Sequence, residues 1–196
     1  MTFSFSTTLT PLTAAAALGA ALLIATPAEA APVVDAGKSE VTFAIKQMGV
    51  PVEGRFRKFD AQMAFDPKKP ETGKVSFSID LASATMGSAE TDVELPKATW
   101  FHTAKFPQAT FQSSAIKGLG GGKYEVAGKL SIKGASKDVV VPVTLAAAGP
   151  AATATGTFAI KRLDFKIGDG DWSDTSMVAN DVTVKFKLQI SGLGPL

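Results

Sequence analysis

Few residues in this 196-residue chain have types and spacings suited to chemistry, and they do not assemble into a catalytic constellation. His102 is the single histidine and there is no cysteine. A histidine-based metal site or a Ser/His/Asp triad would have to be built round that one ring, and thiol catalysis, disulfides and thiolate metal sites are excluded. Flanked by Phe101 and Thr103, with no serine in a Gly-x-Ser-x-Gly setting, His102 reads as an ordinary loop histidine. Asp164, Asp169, Asp171 and Asp174 resemble a calcium loop at first sight. Counted from Asp169, however, the sixth position is Asp174, where an EF-hand needs Gly, and the twelfth is Asn180, where it needs Glu. These carboxylates read as solvated turn residues. The run Gly118, Gly120, Gly121 and Gly122 invites a phosphate-loop reading that fails on spacing, because Lys117 stands at the first glycine position and Tyr124 where Ser or Thr is required. A hairpin loop is the better assignment.

What remains is aromatic and apolar. Trp100, Phe101 and Phe106 lie close together in a connecting segment, Met86 to Pro107, that has no strand periodicity. Ser88, followed by Glu90, Thr91, Asp92, Val93, Glu94 and Leu95, can start a short helix with acidic residues in its first turn, and Pro96 stops it. Such a segment is either a lid packed over a core or the mouth of a ligand site, and it can be both.

The elements on either side of it alternate with period two, the signature of strands with one apolar and one wet face. Val41, Phe43 and Ile45 define a first strand, ended by Gly49 and Pro51. A second runs from Val52 to Phe65, but Val52, Gly54 and Phe56 are in one phase while Phe59, Ala61, Met63 and Phe65 are in the other, which requires a bulge or bend at Arg57 and Lys58. Val75, Phe77, Ile79 and Leu81 give a third strand, and Ala109 to Ile116 a fourth. Tyr124, Val126, Gly128, Leu130 and Ile132 give the fifth, followed by a turn at Lys133 to Ser136. Val139 to Leu145 is the sixth, Ala146 to Ala154 a loop or frayed strand, Thr157 to Ile160 the seventh and Val182 to Ile190 the eighth. Eight antiparallel strands, each with a face to bury and no long helix to bury it against, are most economically closed into a barrel.

Composition agrees with one domain, since 45% of the residues are hydrophobic. The formal net charge of +2 is spread along the strands without forming a patch, which speaks against nucleic-acid binding. Residues 1–30 read differently: an apolar run from Leu12 to Ile24 precedes Pro27 and the small-residue stretch Ala28, Glu29, Ala30, Ala31. This is the pattern of a secretory signal cleaved after Ala30, although Met1 to Thr10 carries no Lys or Arg, and it leaves residues 31–196 as an exported domain.

The order of motifs resembles the YceI family of lipocalin-like periplasmic proteins. The resemblance is carried by Val41-Thr42-Phe43 with Met48-Gly49-Val50, Gly54-Arg55-Phe56, Phe65-Asp66-Pro67, Asp92, Leu95, Trp100-Phe101 and Phe106-Pro107 with Phe111. It continues through Gly128-Lys129-Leu130-Ser131-Ile132-Lys133-Gly134 with Lys137 and Pro142, and Arg162-Leu163-Asp164-Phe165, and so spans the exported domain. What it implies is an all-β, extended eight-stranded antiparallel lipocalin-like barrel in the periplasm, with a polyisoprenoid or quinone-like lipid held inside as its only bound group. Gln47, Thr91 and Glu94 depart from the His, Arg and His found there in many members, which puts head-group preference in question. The Gln47-Met48-Gly49-Val50 stretch resembles a branch associated with cytochrome b561-type membrane proteins.

Within that frame the inward phases nominate Phe43, Ile45, Phe65, Phe77, Ile79, Leu130, Ile132, Phe158 and Phe186 as lining, and Met86, Trp100, Phe101 and Phe106 as rim. Each lining residue can equally be plain core, because an eight-stranded barrel can be filled by its own side chains. Three functions compete. The first is binding and carriage of a long-chain isoprenoid lipid. The second is an accessory or stress-response role with a membrane cytochrome b561-type partner. The third is an enzyme acting on lipid, for which no catalytic residues are visible.

Overall fold

The computed structural model describes residues 31–149 and 151–193; the expected signal segment, 1–30, lies outside the described residues. Ten strands and one short helix follow in chain order: β1 Val33–Gln47, β2 Val50–Phe56, β3 Phe59–Ala64, β4 Lys74–Asp80, β5 Ala84–Thr85, α1 Ala89–Asp92, β6 Gln108–Gly120, β7 Lys123–Ile132, β8 Ala135–Ala148, β9 Ala151–Lys161 and β10 Val178–Ser191. Their antiparallel order is β10-β9-β8-β7-β6-β4-β3-β1-β2-β5, and β10 also pairs with β1. The sheet therefore closes on itself. β2 and β3 are two halves of one stave and β5 is a two-residue appendage, so the barrel has the expected eight staves.

Local chemistry explains the turns. Met48-Gly49 and Lys133-Gly134 each fill a two-residue hairpin loop with both φ angles positive, the conformation whose twist matches the flanking strands. The phase change between Val52 and Phe65 is resolved where it was expected, by a break at Arg57 and Lys58. There the stave changes partner, β2 pairing with β5 and β3 with β4. The freed amides of Arg57 and Lys58 donate to Ser83 O (3.2 Å) and Ser83 Oγ (3.0 Å). A second register shift, between Ser113 and Ala115 in β6, turns Phe111 and Ile116 to the same interior despite their opposite parity.

Two expectations need correction. Ala146 to Ala154 is neither loop nor frayed strand: β8 runs to Ala148 and β9 starts at Ala151, with Ala152 and Ala154 buried. Small side chains weaken the strand signal of the sequence, yet paired backbone and a thin interior wall suit them. The first strand begins at Val33, not near Val41, with an irregularity between Asp35 and Glu40 that hides its period. The short helix expected after Ser88 is present, as a single turn, Ala89–Asp92.

Buried side chains form two clusters. One, with Val41, Ile116, Tyr124, Val126, Leu145, Ala154, Leu188 and Ile190, lines one end of the barrel. The other joins Leu81, Ala84, Ala109 and Ile132 to Leu95 and Phe101 of the connecting segment and to Phe165 and Ile167 after β9. Met86 to Pro107 is thus a lid packed on the second end.

Candidate functional site

The interior is not filled. A distal chamber of about 170 Å³ is lined by apolar side chains and the ring of Tyr124, drawn from β1, β3, β4 and β6 to β10 and from Phe65 and Leu193 just past the ends of β3 and β10. Next to the lid lies a second chamber of about 320 Å³, lined by Phe43, Ile45 and Phe56 of the barrel wall, by Met86, Leu95, Trp100 and Phe101 of the lid, and by Ile167 and Trp172 of the loop after β9. Ile79, Leu130, Phe158 and Val184 belong to both walls and form a shared waist.

Glycines opposite phenylalanines keep this space open. An added Cβ on Gly54 would stand 2.3 Å from Phe43 Cζ, on Gly128 2.5 Å from Phe111 Cζ, and on Gly156 2.3 Å from Phe186 Cζ. Each glycine occupies an inward position of its strand, between residues such as Val126 and Leu130 or Ala154 and Phe158 that line the cavities. The missing side chain lets the ring lie along the wall, where a larger residue would push it across the lumen. Tilted contacts Phe43–Phe56 (centroids 5.2 Å) and Phe56–Phe101 (6.1 Å) then join the wall to the lid.

Polar groups are confined to the lid chamber. Gln47, Glu90, Thr91, Glu94 and Arg162 all line it, so the three positions where the chain departs from the resembled pattern meet in one chamber. Arg162 is 1% exposed. Its Nε donates to Ala179 O (3.0 Å), Nη1 to Ile167 O (2.9 Å) and Gly168 O (2.6 Å), and Nη2 to Trp172 O (2.6 Å) and Val178 O (2.8 Å). All five guanidinium N–H donors therefore end on backbone carbonyls. Burial pushes the Arg162 pKa down from its ordinary value, and the five acceptors stabilise the charged form against that. Gly168, with φ +66°, is needed here because a Cβ would meet Arg162 Nη1 at 2.5 Å.

The lid is latched from beneath. Asp92 Oδ2 accepts from Thr85 Oγ1 (2.5 Å) and Oδ1 from the Met86 amide (2.7 Å), while Arg57 Nη2 donates to Thr85 Oγ1 (3.3 Å). The Thr85 hydroxyl, then the Met86 amide, hold the Asp92 carboxyl below the usual carboxylate range.

Nearly all nominated residues meet in this interior. Phe65, Phe77 and Phe186 line the distal chamber; Phe43, Ile45, Met86, Trp100, Phe101 and Ile132 line the lid chamber; Ile79, Leu130 and Phe158 line both. Phe106 is the correction: it belongs to neither wall and packs over Gly134 and edge-on to His102 (5.7 Å), under the Lys105 ammonium. Its aromatic neighbours suggested a rim, but a strand-connecting turn carries it outside. Two cationic side chains are buried: Arg162, and Lys133, which is 8% exposed and donates to Lys166 O (2.5 Å) and Thr99 O (3.3 Å). Its ion pair with Asp169 at 3.5 Å, and Lys137 with Asp164 at 3.9 Å, also mean that two of the loop carboxylates are partnered. His102 sits in a left-handed turn with φ +52°. Sequence reasoning missed Phe111, Val184, Ile167 and Trp172; the first two share the strand alternation already recognised, whereas the last two are brought in by the loop that Arg162 organises. Among the described residues, no three His, Cys, Asp or Glu side chains gather where a metal ion could be held.

The YceI-like domain family matches residues 33–190, the whole barrel. The chain belongs to the YceI-like family. A UPF0312 protein of Azotobacter vinelandii is 39% identical over 132 residues, 65% of this chain and 69% of the relative. The crystal structure of Burkholderia cenocepacia BcnA is similar to this YceI-like protein with a TM-score of 0.77 and 47% identity, covering 80% of this chain and 98% of BcnA. A polyisoprenoid-binding domain from Saccharophagus degradans, implicated in plant cell wall breakdown, shares the fold with a TM-score of 0.67 at 18% identity, covering 82% of this chain and 98% of that domain.

Proposed function

We propose that this YceI-like protein is a periplasmic binding and carrier protein for a polyisoprenoid or isoprenoid-quinone-like lipid, held in the barrel interior. The observation that carries this is the pair of chambers sharing a waist of Ile79, Leu130, Phe158 and Val184, one of them lined by apolar groups and the ring of Tyr124. An elongated, largely apolar guest matches that shape better than a compact polar one. The shared fold with a polyisoprenoid-binding domain supports the same class of guest.

Energetics narrows the role. Transfer of a tail from water into the lumen gains about 0.8 kcal/mol per buried CH₂. Transfer from a bilayer gains almost none of that, since both surroundings are apolar. The barrel is therefore suited to holding lipid across water, and the choice among lipids falls to chamber length, shape and the polar groups of the lid chamber. Mass spectrometry of lipid extracted from natively purified protein tests the proposal. One prenyl lipid per chain is expected; protein that carries none and takes up no added prenyl lipid would overturn it.

An accessory role beside a membrane cytochrome b561-type partner draws on one separate observation: Met48 and Val50 at the β1–β2 hairpin are 70% and 63% exposed. Co-purification with such a partner that survives both Trp100→Ala and Phe77→Ala would favour this role over lipid carriage.

A further inference from the structure

A guest that reaches the chambers must pass a wall, and the walls are not equally held. The staves are closed all round by backbone pairing. At the distal end Phe65 stands edge-on to Tyr124 (centroids 5.4 Å), with Leu193 in the same wall. The loop after β9 is fixed by the five bonds of Arg162. That leaves the lid, which is built in two pieces.

From Leu95 onward the lid is anchored. Leu95 and Phe101 are 5% and 7% exposed, the Phe101 amide donates to Leu95 O (3.0 Å) and the His102 amide to Lys97 O (2.9 Å). Thr99 O accepts from the Gly168 amide (2.8 Å), the Asp169 amide (3.2 Å) and the Lys133 ammonium (3.3 Å), which ties this half to the loop after β9 and to the β7–β8 turn. Residues 87–94 have no such ties. None of them is buried, and among the described residues no hydrogen bond joins them to the barrel wall or to the loop after β9. What they present to the largely apolar chamber is polar, Glu90, Thr91 and Glu94, while Val93 is 62% exposed. Little apolar burial therefore holds this piece down.

The piece is nonetheless a body with a root. The Asp92 amide donates to Ser88 O (2.9 Å) and the Val93 amide to Ala89 O (3.3 Å), while the Asp92 carboxylate clasps Thr85 and Met86. Its root is the two-residue β5, paired with Arg55 and Phe56 of β2. Between root and body stands Gly87, at φ +79° with nothing within 4 Å of the place a Cβ would take. Segments with few buried apolar contacts open locally, far below the cost of global unfolding, and a few residues at element ends absorb the motion.

We propose that residues 87–94 are the gate of the lid chamber. This flap lifts between Gly87 and Leu95 while the half from Leu95 to Phe106 stays shut, and the guest enters between the flap and the β1–β2 hairpin, whose Gln47 lines the same chamber. The gate serves the lipid carriage proposed above and rests on it.

Trp100 and Trp172 are the chain's two tryptophans and both line the lid chamber, so their fluorescence in stopped flow follows the entry of a four-isoprene alcohol. Asp92→Asn loosens the clasp at the root of the flap. It should raise uptake and release rates together, each about tenfold, and leave affinity within about twofold, because the clasp is made with and without a guest. Lys133→Met cuts a tie of the anchored half instead and should leave both rates where they are. Rates that respond to Lys133→Met alone would place the port at the other end of the lid, a response to both variants would make the lid a single moving piece, and a response to neither would place entry elsewhere; each result overturns the gate. Hydrogen exchange needs neither variant nor guest. The Asp92 and Val93 amides should exchange at least about a hundredfold faster than those of His102 and Gly168, and equal protection would overturn the division of the lid. If the alcohol does not bind at all, it is lipid carriage that fails, while the exchange contrast still decides whether the flap opens on its own.

Discussion

The two chambers share four side chains but are assembled by different means. The distal chamber is nearly all strand: apart from Phe65 and Leu193 its walls come from the inward phase of paired staves, and hydrophobic burial with close cross-strand packing holds them. The lid chamber is half strand and half loop, and its loop half depends on polar clamps, Arg162 under the loop after β9 and Asp92 under the lid. A barrel wall tolerates change as long as volume is kept, because many similar contacts share the load. A loop wall hung on a few buried hydrogen bonds does not, because each unmade bond leaves a buried group desolvated.

Arg162→Met should draw the sharpest line between them. Up to five carbonyls lose their donor, and a stability loss on the order of 4 kcal/mol or more is expected in chemical denaturation. Arg162→Lys should recover only part of it, since one ammonium offers three donors. A loss below about 1 kcal/mol would mean the loop stands by packing alone, and the contrast between the chambers would be broken.

Gly54→Ala probes the strand half of the lid chamber. The three heavy atoms nearest the new Cβ all belong to the Phe43 ring. Turning that ring into the lumen should cost about 1–3 kcal/mol. It should reduce the capacity for prenyl ligand, read by titration, while Phe111 and Phe186 keep the distal chamber intact.

Leu130→Phe narrows the waist and asks whether the chambers act as one site. Affinity for a long prenyl chain should fall about tenfold, equivalent to about 1.4 kcal/mol, with a short chain little affected. Equal loss for both lengths would show that the tail never passes the waist.

The smallest effect is a pH dependence of the lid. Because the Asp92 pKa is depressed in the fold, its contribution to stability is complete above the ordinary carboxylate value and is lost as pH falls through the lowered value. Asp92→Asn removes the charge. The difference in melting temperature between protein and variant should therefore be present at neutral pH and shrink as pH falls below about 4. A difference that is the same at pH 3 and pH 7 would remove Asp92 from the latch.

The same division governs what could be read from the amino acids. Strand residues announced their face by parity, so Phe43, Phe77, Leu130 and Phe186 were found without coordinates, and so was the break at Arg57 and Lys58. Parity failed where side chains carried little contrast, as along Ala146 to Ala154. It also misled at Phe106, where aromatic density was taken for position. Ile167, Trp172 and Arg162 could not be assigned to the interior by pattern. Their placement depends on hydrogen bonds to carbonyls up to 17 residues away, and every residue offers a carbonyl regardless of its type.

The seam between β1 and β10 has a consequence in time. Val33 pairs with Ser191, and Gln189 N donates to Ser39 Oγ at 2.9 Å across 150 residues of chain. Contacts this remote in sequence are slow to form, because a long loop must close before they contribute. Until its final strand is in place the protein is an open curved sheet with two free edges, unable to enclose a guest and exposed to edge-to-edge association. Refolding in the presence of prenyl lipid is then a race between capture of the guest and closure of the seam.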